Sequence, residues 1–263
     1  GAGWGCDGTD VLRRFDPDVV VMPEHEGFDL RNASALCSDA LGNIWFAIDQ
    51  RVLRHECTFG DADSLVILQL PVGGATITAL HVDDAGTLWA GTMGGGVFAY
   101  RPDGSTQRWT EHDGLVNDNV LAIAHDAQGV VLGTLAGIGR IDRAGTPSIP
   151  AAGTPAFIYD AVLDRRGRAC YATDGDGVLR LDPDGWLRSI TDPLRTLRTF
   201  YSLTVDERGS IWACGPGTGF CVLGDTMLTS YSAGVPPLDG EVFALESHQG
   251  HVLAFGERGV AVF

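Results

Sequence analysis

Histidine, cysteine and carboxylate are the residue types in this sequence that could do chemistry, and their spacing decides what they offer. The seven histidines, at 25, 55, 81, 112, 125, 248 and 251, share no common spacing. Metal-assisted acid–base catalysis needs an imidazole beside a carboxylate and further ligands. Only His248-Gln249-Gly250-His251 pairs two imidazoles closely, and no third ligand stands near it in sequence. Neither a metal site nor a catalytic residue is assigned. Of the six cysteines, Cys6, Cys37, Cys170, Cys214 and Cys221 sit in apolar surroundings and read as buried free thiols. Cys214 and Cys221, on strands joined by a short loop, are the one pair considered for a disulfide.

All 18 basic residues are arginine. The absence of lysine excludes Schiff-base enzymes, phosphate-loop NTPases and lysine-dependent kinase cores. Thr92-Met93-Gly94-Gly95-Gly96 lacks the helix and lysine of a phosphate cradle and reads as a loop. No cofactor is expected. A formal net charge of −16 with no basic patch argues against nucleic acid as a partner. No run of apolar residues is long enough to span a membrane, so no membrane contact is expected of this segment. With neither a leader nor an initiator Met, the sequence reads as part of a longer protein.

The elements that would position any site come from an internal repeat. Glycines at 42, 86, 129, 167, 209 and 250 each follow one short apolar run and precede another, with Gly1 opening the chain ahead of such a run, and the seven are spaced 41, 44, 43, 38, 42 and 41 residues apart. Three residues before the anchor stand Asp39, Asp83, Asp126, Asp164 and Asp206, with Ser247 in the last copy. An aspartate opening a tight turn accepts backbone N–H groups two residues on, while glycine later in the turn takes positive φ without a Cβ clash, so each copy encodes a hairpin. Three residues after the anchor come Trp4, Trp45, Trp89 and Trp212, replaced by Leu132, Cys170 and Leu253. Alternating Thr78, Leu80, Val82 and Tyr201, Leu203, Val205 mark first strands facing inward with period two. A third strand ending in Asp-Pro or Pro-Asp-Gly and a fourth strand complete each copy.

Four strands in about 40 residues with no helix between copies describe a propeller blade. One such sheet leaves both faces apolar, and only neighbours on each side cover them. The expectation is one all-β domain over residues 1–263, a seven-bladed β-propeller of four-stranded antiparallel blades with incomplete terminal blades.

The segment from Glu111 to Gly129, with Asp113-Gly114-Leu115 before Asp126-Ala127-Gln128-Gly129, resembles the two-component regulator propeller repeat. Asp83-Asp84-Ala85-Gly86-Thr87-Leu88-Trp89-Ala90-Gly91-Thr92 followed by Gly96-Val97-Phe98 matches the second half of that repeat, and the resemblance covers nearly the whole chain. It implies the sensor part of a hybrid two-component protein, periplasmic or extracellular, joined to further propeller or signalling modules and able to form a homodimer. It also implies a small polar ligand, an oligosaccharide among the candidates, but no transferable contact residues. The Asp-x-x-Gly-x-x-Trp rhythm is similar to that of streptogramin lyases, so the alternative from another class is a metal-dependent lyase. A third reading is a protein-interaction platform.

In a propeller, small ligands sit where the loops joining second to third strands meet those leading into first strands. Those loops supply the candidate ligand-binding residues Arg31, Asn32, Asp49, Asp113, Asn117, Asn119, Asp174, Asp176, Arg195, Arg198, Phe200, Tyr201 and Glu257. Flat aromatics beside paired hydrogen-bonding groups are what a sugar would need.

Overall fold

A computed structural model describes residues 3–6, 12–16, 18–21, 33–48, 50–56, 64–150, 157–182, 185–191, 197–217, 219–224, 228–231, 241–248, 250–256 and 259–263. The described elements are strands, apart from one 3-10 turn at Glu111–Asp113. β1 (Gly3–Cys6), β2 (Leu12–Asp16) and β3 (Asp18–Val21) form a three-stranded antiparallel sheet. Blade 1 follows with β4 (Ala33–Ser38), β5 (Ile44–Ile48), β6 (Arg51–Glu56) and β7 (Ser64–Gln69). Blade 2 comprises β8 (Ile77–Val82), β9 (Leu88–Thr92), β10 (Val97–Tyr100) and β11 (Thr106–Trp109). Blade 3 comprises β12 (Val120–Asp126), β13 (Gly129–Thr134), β14 (Gly137–Asp142) and β15 (Pro147–Ser148). In blade 4 come β16 (Ile158–Leu163), β17 (Ala169–Thr173), β18 (Val178–Leu181) and β19 (Leu187–Ile190). Blade 5 takes β20 (Ser202–Val205), β21 (Ile211–Gly215), β22 (Gly219–Leu223) and β23 (Leu228–Tyr231). Blade 6 has β24 (Val242–His248), β25 (His251–Gly256) and β26 (Gly259–Val262).

Among the described residues the fold has six blades, five of four strands and one of three, and the expectation of seven is corrected. β1–β3 pair only with one another, as a three-stranded sheet that no further described strand joins. Counting anchor glycines counts turns, whereas a blade also needs the strand before the turn.

Contacts divide the chain into two units, Gly1–Ile123 and Ala124–Phe263. In the first unit, Trp45, Ala47, Val52, Leu70 and Val72 of blade 1 and its following loop bury against Ile77, Leu80, Leu88, Ala90 and Phe98 of blade 2. Within the second unit, Cys170, Ala172, Val178 and Ile190 of blade 4 meet Leu203, Ile211, Ala213 and Cys221 of blade 5. Blade 5 turns its other face, with Cys214 and Phe220, toward Val242, Leu245, Val252 and Ala254 of blade 6. Second strands such as β5, β9 and β17 are buried at every position, because both of their faces are covered. The same geometry removes the proposed disulfide. Cys221 stands opposite Ala213 in the ladder and Cys214 opposite Phe220, so the two thiols point to opposite faces of blade 5 and both are free.

The repeated Asp-x-x-Gly-x-x-Trp has a physical reason beyond the turn. One carboxylate oxygen of Asp39 accepts the N–H groups of Leu41 and Asn43, both at 2.9 Å, while the other accepts the indole N–H of Trp45 at 3.0 Å. Asp83–Trp89 and Asp206–Trp212 repeat the indole bond at 2.9 and 3.0 Å. Where tryptophan is lost, arginine takes over: Arg140 binds Asp126 through two bonds of 2.8 and 2.6 Å, and Arg168 binds Asp164 at 2.6 Å.

Candidate functional site

The period-two reading of the first strands fails at one place, and that place builds the candidate site. β4, β8, β16 and β24 each carry a bulge near their start, an extra residue that the partner strand does not match. In β16 the register shifts between Ile158 and Asp160, so Ile158 is fully buried while Tyr159 is turned out. Tyr201, just ahead of β20, stood both in the inward alternation and among the candidate ligand residues, and it is 39% exposed. Its ring meets that of Tyr159 edge to face, with centroids 5.4 Å apart. Phe157, 46% exposed, and Phe243, 49% exposed on the bulge of β24, add two more accessible aromatics.

Two loops bring polar groups to this aromatic ledge. β17 ends at Thr173, and Asp174-Gly175-Asp176-Gly177 turns the chain into β18, with Gly175 and Gly177 at φ values of 91° and 79° that a side chain would resist. Residues 197–201, leading into β20, run alongside. The Gly177 N–H donates to the Arg198 carbonyl at 2.7 Å, and the Phe200 N–H donates to the Thr173 carbonyl at 3.0 Å. The Thr199 hydroxyl donates to the Asp174 carboxylate at 3.0 Å, and the Asp174 N–H donates to the Phe157 carbonyl at 3.0 Å. Asp174, Asp176 and Arg198 all keep exposed side chains. Burial, then the nearby charge of Asp174, then Tyr201, raises the Tyr159 hydroxyl above its ordinary value, so Tyr159 remains a neutral donor.

Below the ledge, first strands of the second unit are stitched side chain to backbone. Asp160 accepts the Leu203 N–H and its neighbour's Ala161 N–H, both at 2.8 Å, and the Ser202 hydroxyl accepts the Leu245 N–H at 3.2 Å. Burial outweighs these bonds and pushes the Asp160 carboxyl up to about 6. Glu246 keeps an exposed surface yet is hemmed in by protein, and that desolvation, then the charge of Asp160, raises it to about 7.

The residues expected from sequence fall into separate groups. Asp174, Asp176, Arg198 and Tyr201 converge at the ledge of the second unit. Phe200 is fully buried in the core between blades 4 and 5, so its ring packs instead of facing a ligand; the backbone pairing with Thr173 turns it inward. Asp113, Asn117 and Asn119 lie in the first unit, in the loop ahead of β12. Asp113 caps the 3-10 turn by accepting from the Thr110 N–H and hydroxyl, both at 2.9 Å. Asn117 donates to Glu111 at 3.0 Å and accepts from the Asn119 N–H and side-chain amide. Those side chains hold their own loop together. Arg31, Asn32, Asp49, Arg195 and Glu257 lie outside the described residues. Among the described residues no three His, Cys, Asp or Glu side chains converge as a metal site.

Tyr159 and Phe243 were missed. The signal was present: Tyr159, Tyr201 and Phe243 are spaced 42 and 42 residues apart. Neither Tyr159 nor Phe243 had been singled out from sequence.

No family model matches the chain, and no curated protein matches it in sequence. Among solved structures it is similar to virginiamycin B lyase from Staphylococcus aureus, at 13% identity over 88% of this chain and 84% of that one, with a TM-score of 0.73. It is also similar to the extracellular domain assigned to a hybrid two-component system of B. thetaiotaomicron, at 16% identity and a TM-score of 0.76. That match takes in 100% of this chain and 36% of the other, so the chain spans about a third of that domain. The WD40 β-propeller domain of Doa1 matches over 100% of this chain and 88% of its own, at 14% identity and a TM-score of 0.74. Both kinds of protein that the repeat resembles thus occur among the structural neighbours, and at these identities the likeness establishes the fold: the chain is a β-propeller.

Proposed function

We infer that this propeller is a non-catalytic, extracytoplasmic sensor domain that binds a small polar ligand of the oligosaccharide class and passes the event to a signalling module of a longer protein. The observation that carries the reading is the edge-to-face Tyr159–Tyr201 pair beside the Asp174–Thr199 hydrogen bond. The exposed Tyr201 ring, backed by the half-buried Tyr159, offers a flat apolar face to the C–H side of a sugar, and an adjacent carboxylate and hydroxyl accept and donate to its hydroxyls. Edge-to-face packing and backbone bonds hold the rings before any ligand arrives, which lowers the ordering cost of binding. The likeness to an extracellular domain of a two-component system supports the location and the signalling role.

Glycan-array screening with short neutral oligosaccharides, followed by calorimetric titration, tests this. Tyr201→Ala and Asp174→Asn should each weaken binding by about tenfold or more, one exposed anchor being worth roughly 1–2 kcal/mol. Both side chains are exposed, so stability should move by less than about 1 kcal/mol. Failure of the array to capture any oligosaccharide, or equal binding by both variants, would remove the reading.

A further inference from the structure

Phe243 extends the aromatic ledge by one blade. Tyr159 and Phe243 are the extra residues of the bulges in β16 and β24, lying between the paired positions Ile158 and Asp160 and between Val242 and Ala244. A bulged residue has no partner in the ladder, so the local kink and not the strand alternation aims its side chain. The step from blade 4 to blade 5 is then repeated from blade 5 to blade 6. The Leu203 N–H, two residues after Tyr201, donates to Asp160, one residue after Tyr159, at 2.8 Å. The Leu245 N–H, two residues after Phe243, donates to Ser202, one residue after Tyr201, at 3.2 Å. Both bonds span 43 residues, so in the backbone Phe243 follows Tyr201 as Tyr201 follows Tyr159.

The side chains differ in what they leave open. Tyr159 closes edge-on against Tyr201, whereas Phe243, 49% exposed, meets no other ring among the described residues. A phenyl ring carries neither donor nor acceptor, so Phe243 offers an apolar face alone. Hydrogen-bonding groups gather at the other end of the ledge, on Tyr159, Asp174 and Thr199. Asp174 belongs to a loop of blade 4, Tyr201 leads into blade 5, and Phe243 stands in blade 6. Sheets packed face to face lie about 10 Å apart, so a ligand reaching from Asp174 past Tyr201 to Phe243 crosses two such steps. One sugar ring does not cover that distance, and a chain of them does.

We propose, resting on the reading of the ledge as a sugar site, that the ledge measures chain length: it takes a linear oligosaccharide of about three units or more, with one unit at Asp174 and Tyr201 and a later unit stacked on Phe243. The bonds from Leu203 and Leu245 fix the strands that carry both platforms, which lowers the ordering cost of the second stack.

Calorimetric titration with glucose, cellobiose, cellotriose and cellotetraose, and with the matching series from maltose to maltotetraose, tests this. In the series that binds, the association constant should rise about three- to tenfold between the disaccharide and the longer chains, the worth of one aromatic platform. Phe243→Ala should cut that rise to less than about twofold, and Phe243→Tyr, which keeps a ring, should retain it. Tyr201→Ala should instead weaken every length alike. Affinity that is flat beyond the disaccharide, a rise that Phe243→Ala leaves intact, or an equal loss at every length in that variant overturns the proposal while the ledge at Tyr201 and Asp174 stands. Absence of binding in both series also overturns it, and the array of other oligosaccharides then decides the ledge itself.

Discussion

Replacing Trp89 by Phe and, separately, by Ala divides the tryptophan–aspartate lock into its polar and apolar parts. Trp89 is 8% exposed, its indole N–H reaches the Asp83 carboxylate at 2.9 Å, and its ring stacks on Trp109 at 5.4 Å. A hydrogen bond to a charged group contributes about 1.5–3 kcal/mol. Phenylalanine keeps an aromatic ring over Trp109 but leaves that carboxylate oxygen without the indole, so Trp89→Phe should cost about 1.5–3 kcal/mol. Alanine also empties the site and forfeits the stack, which places Trp89→Ala at about 3–5 kcal/mol. Urea unfolding followed by circular dichroism reads both numbers from the shift in midpoint at constant m. Combining Trp89→Phe with Asp83→Ala should cost less than the sum of the single changes, because both remove one bond. An alanine variant within about 1 kcal/mol of wild type, or a phenylalanine variant indistinguishable from it, would refute this account of the repeat.

Arg140→Ala should cost about 1.5–3 kcal/mol in the same assay, because it removes two charge-assisted bonds from the mostly buried Asp126 carboxylate and leaves it only the Gln128 and Gly129 N–H groups; a cost below about 0.5 kcal/mol would show that water replaces the guanidinium. Stability should fall as pH rises from about 4 to 7. Asp160 and Glu246 are raised to about 6 and about 7, so the native state binds protons that the unfolded chain has already released, and Asp160 accounts for at most about 3 kcal/mol of this. Below about pH 4 the sign reverses. Burial pulls Asp39, Asp126 and Asp206 upward, but their indole, guanidinium and backbone donors outweigh it and depress them, and that stabilisation disappears as acid protonates them. Urea midpoints across pH 3–8 should therefore peak near pH 4–5, and Glu246→Gln should flatten the alkaline side; a profile level from pH 4 to 7 would contradict the placement of both carboxyls.

The repeat was readable from residues 39 to 45, 83 to 89 and 206 to 212 because a turn aspartate, its glycine and the following tryptophan interact within seven consecutive positions, and local geometry leaves them little choice. That spacing determined the all-β class and the hairpin at the heart of each blade. The number of blades was another matter: it depends on which strands pair into each sheet, and among the described residues β1–β3 pair only with one another. Tyr201 shows the same limit at the site. Alternation turned it inward while its loop position made it and Phe200 alike candidate ligand residues, and it is the extra bulge residue in neighbouring first strands and the pairing of Phe200 with Thr173 that send Phe200 inward and Tyr201 out. Near-neighbour chemistry lies in the order of residues, whereas which face a residue shows, and what stands across from it, depends on strands more than 40 positions apart meeting in one register.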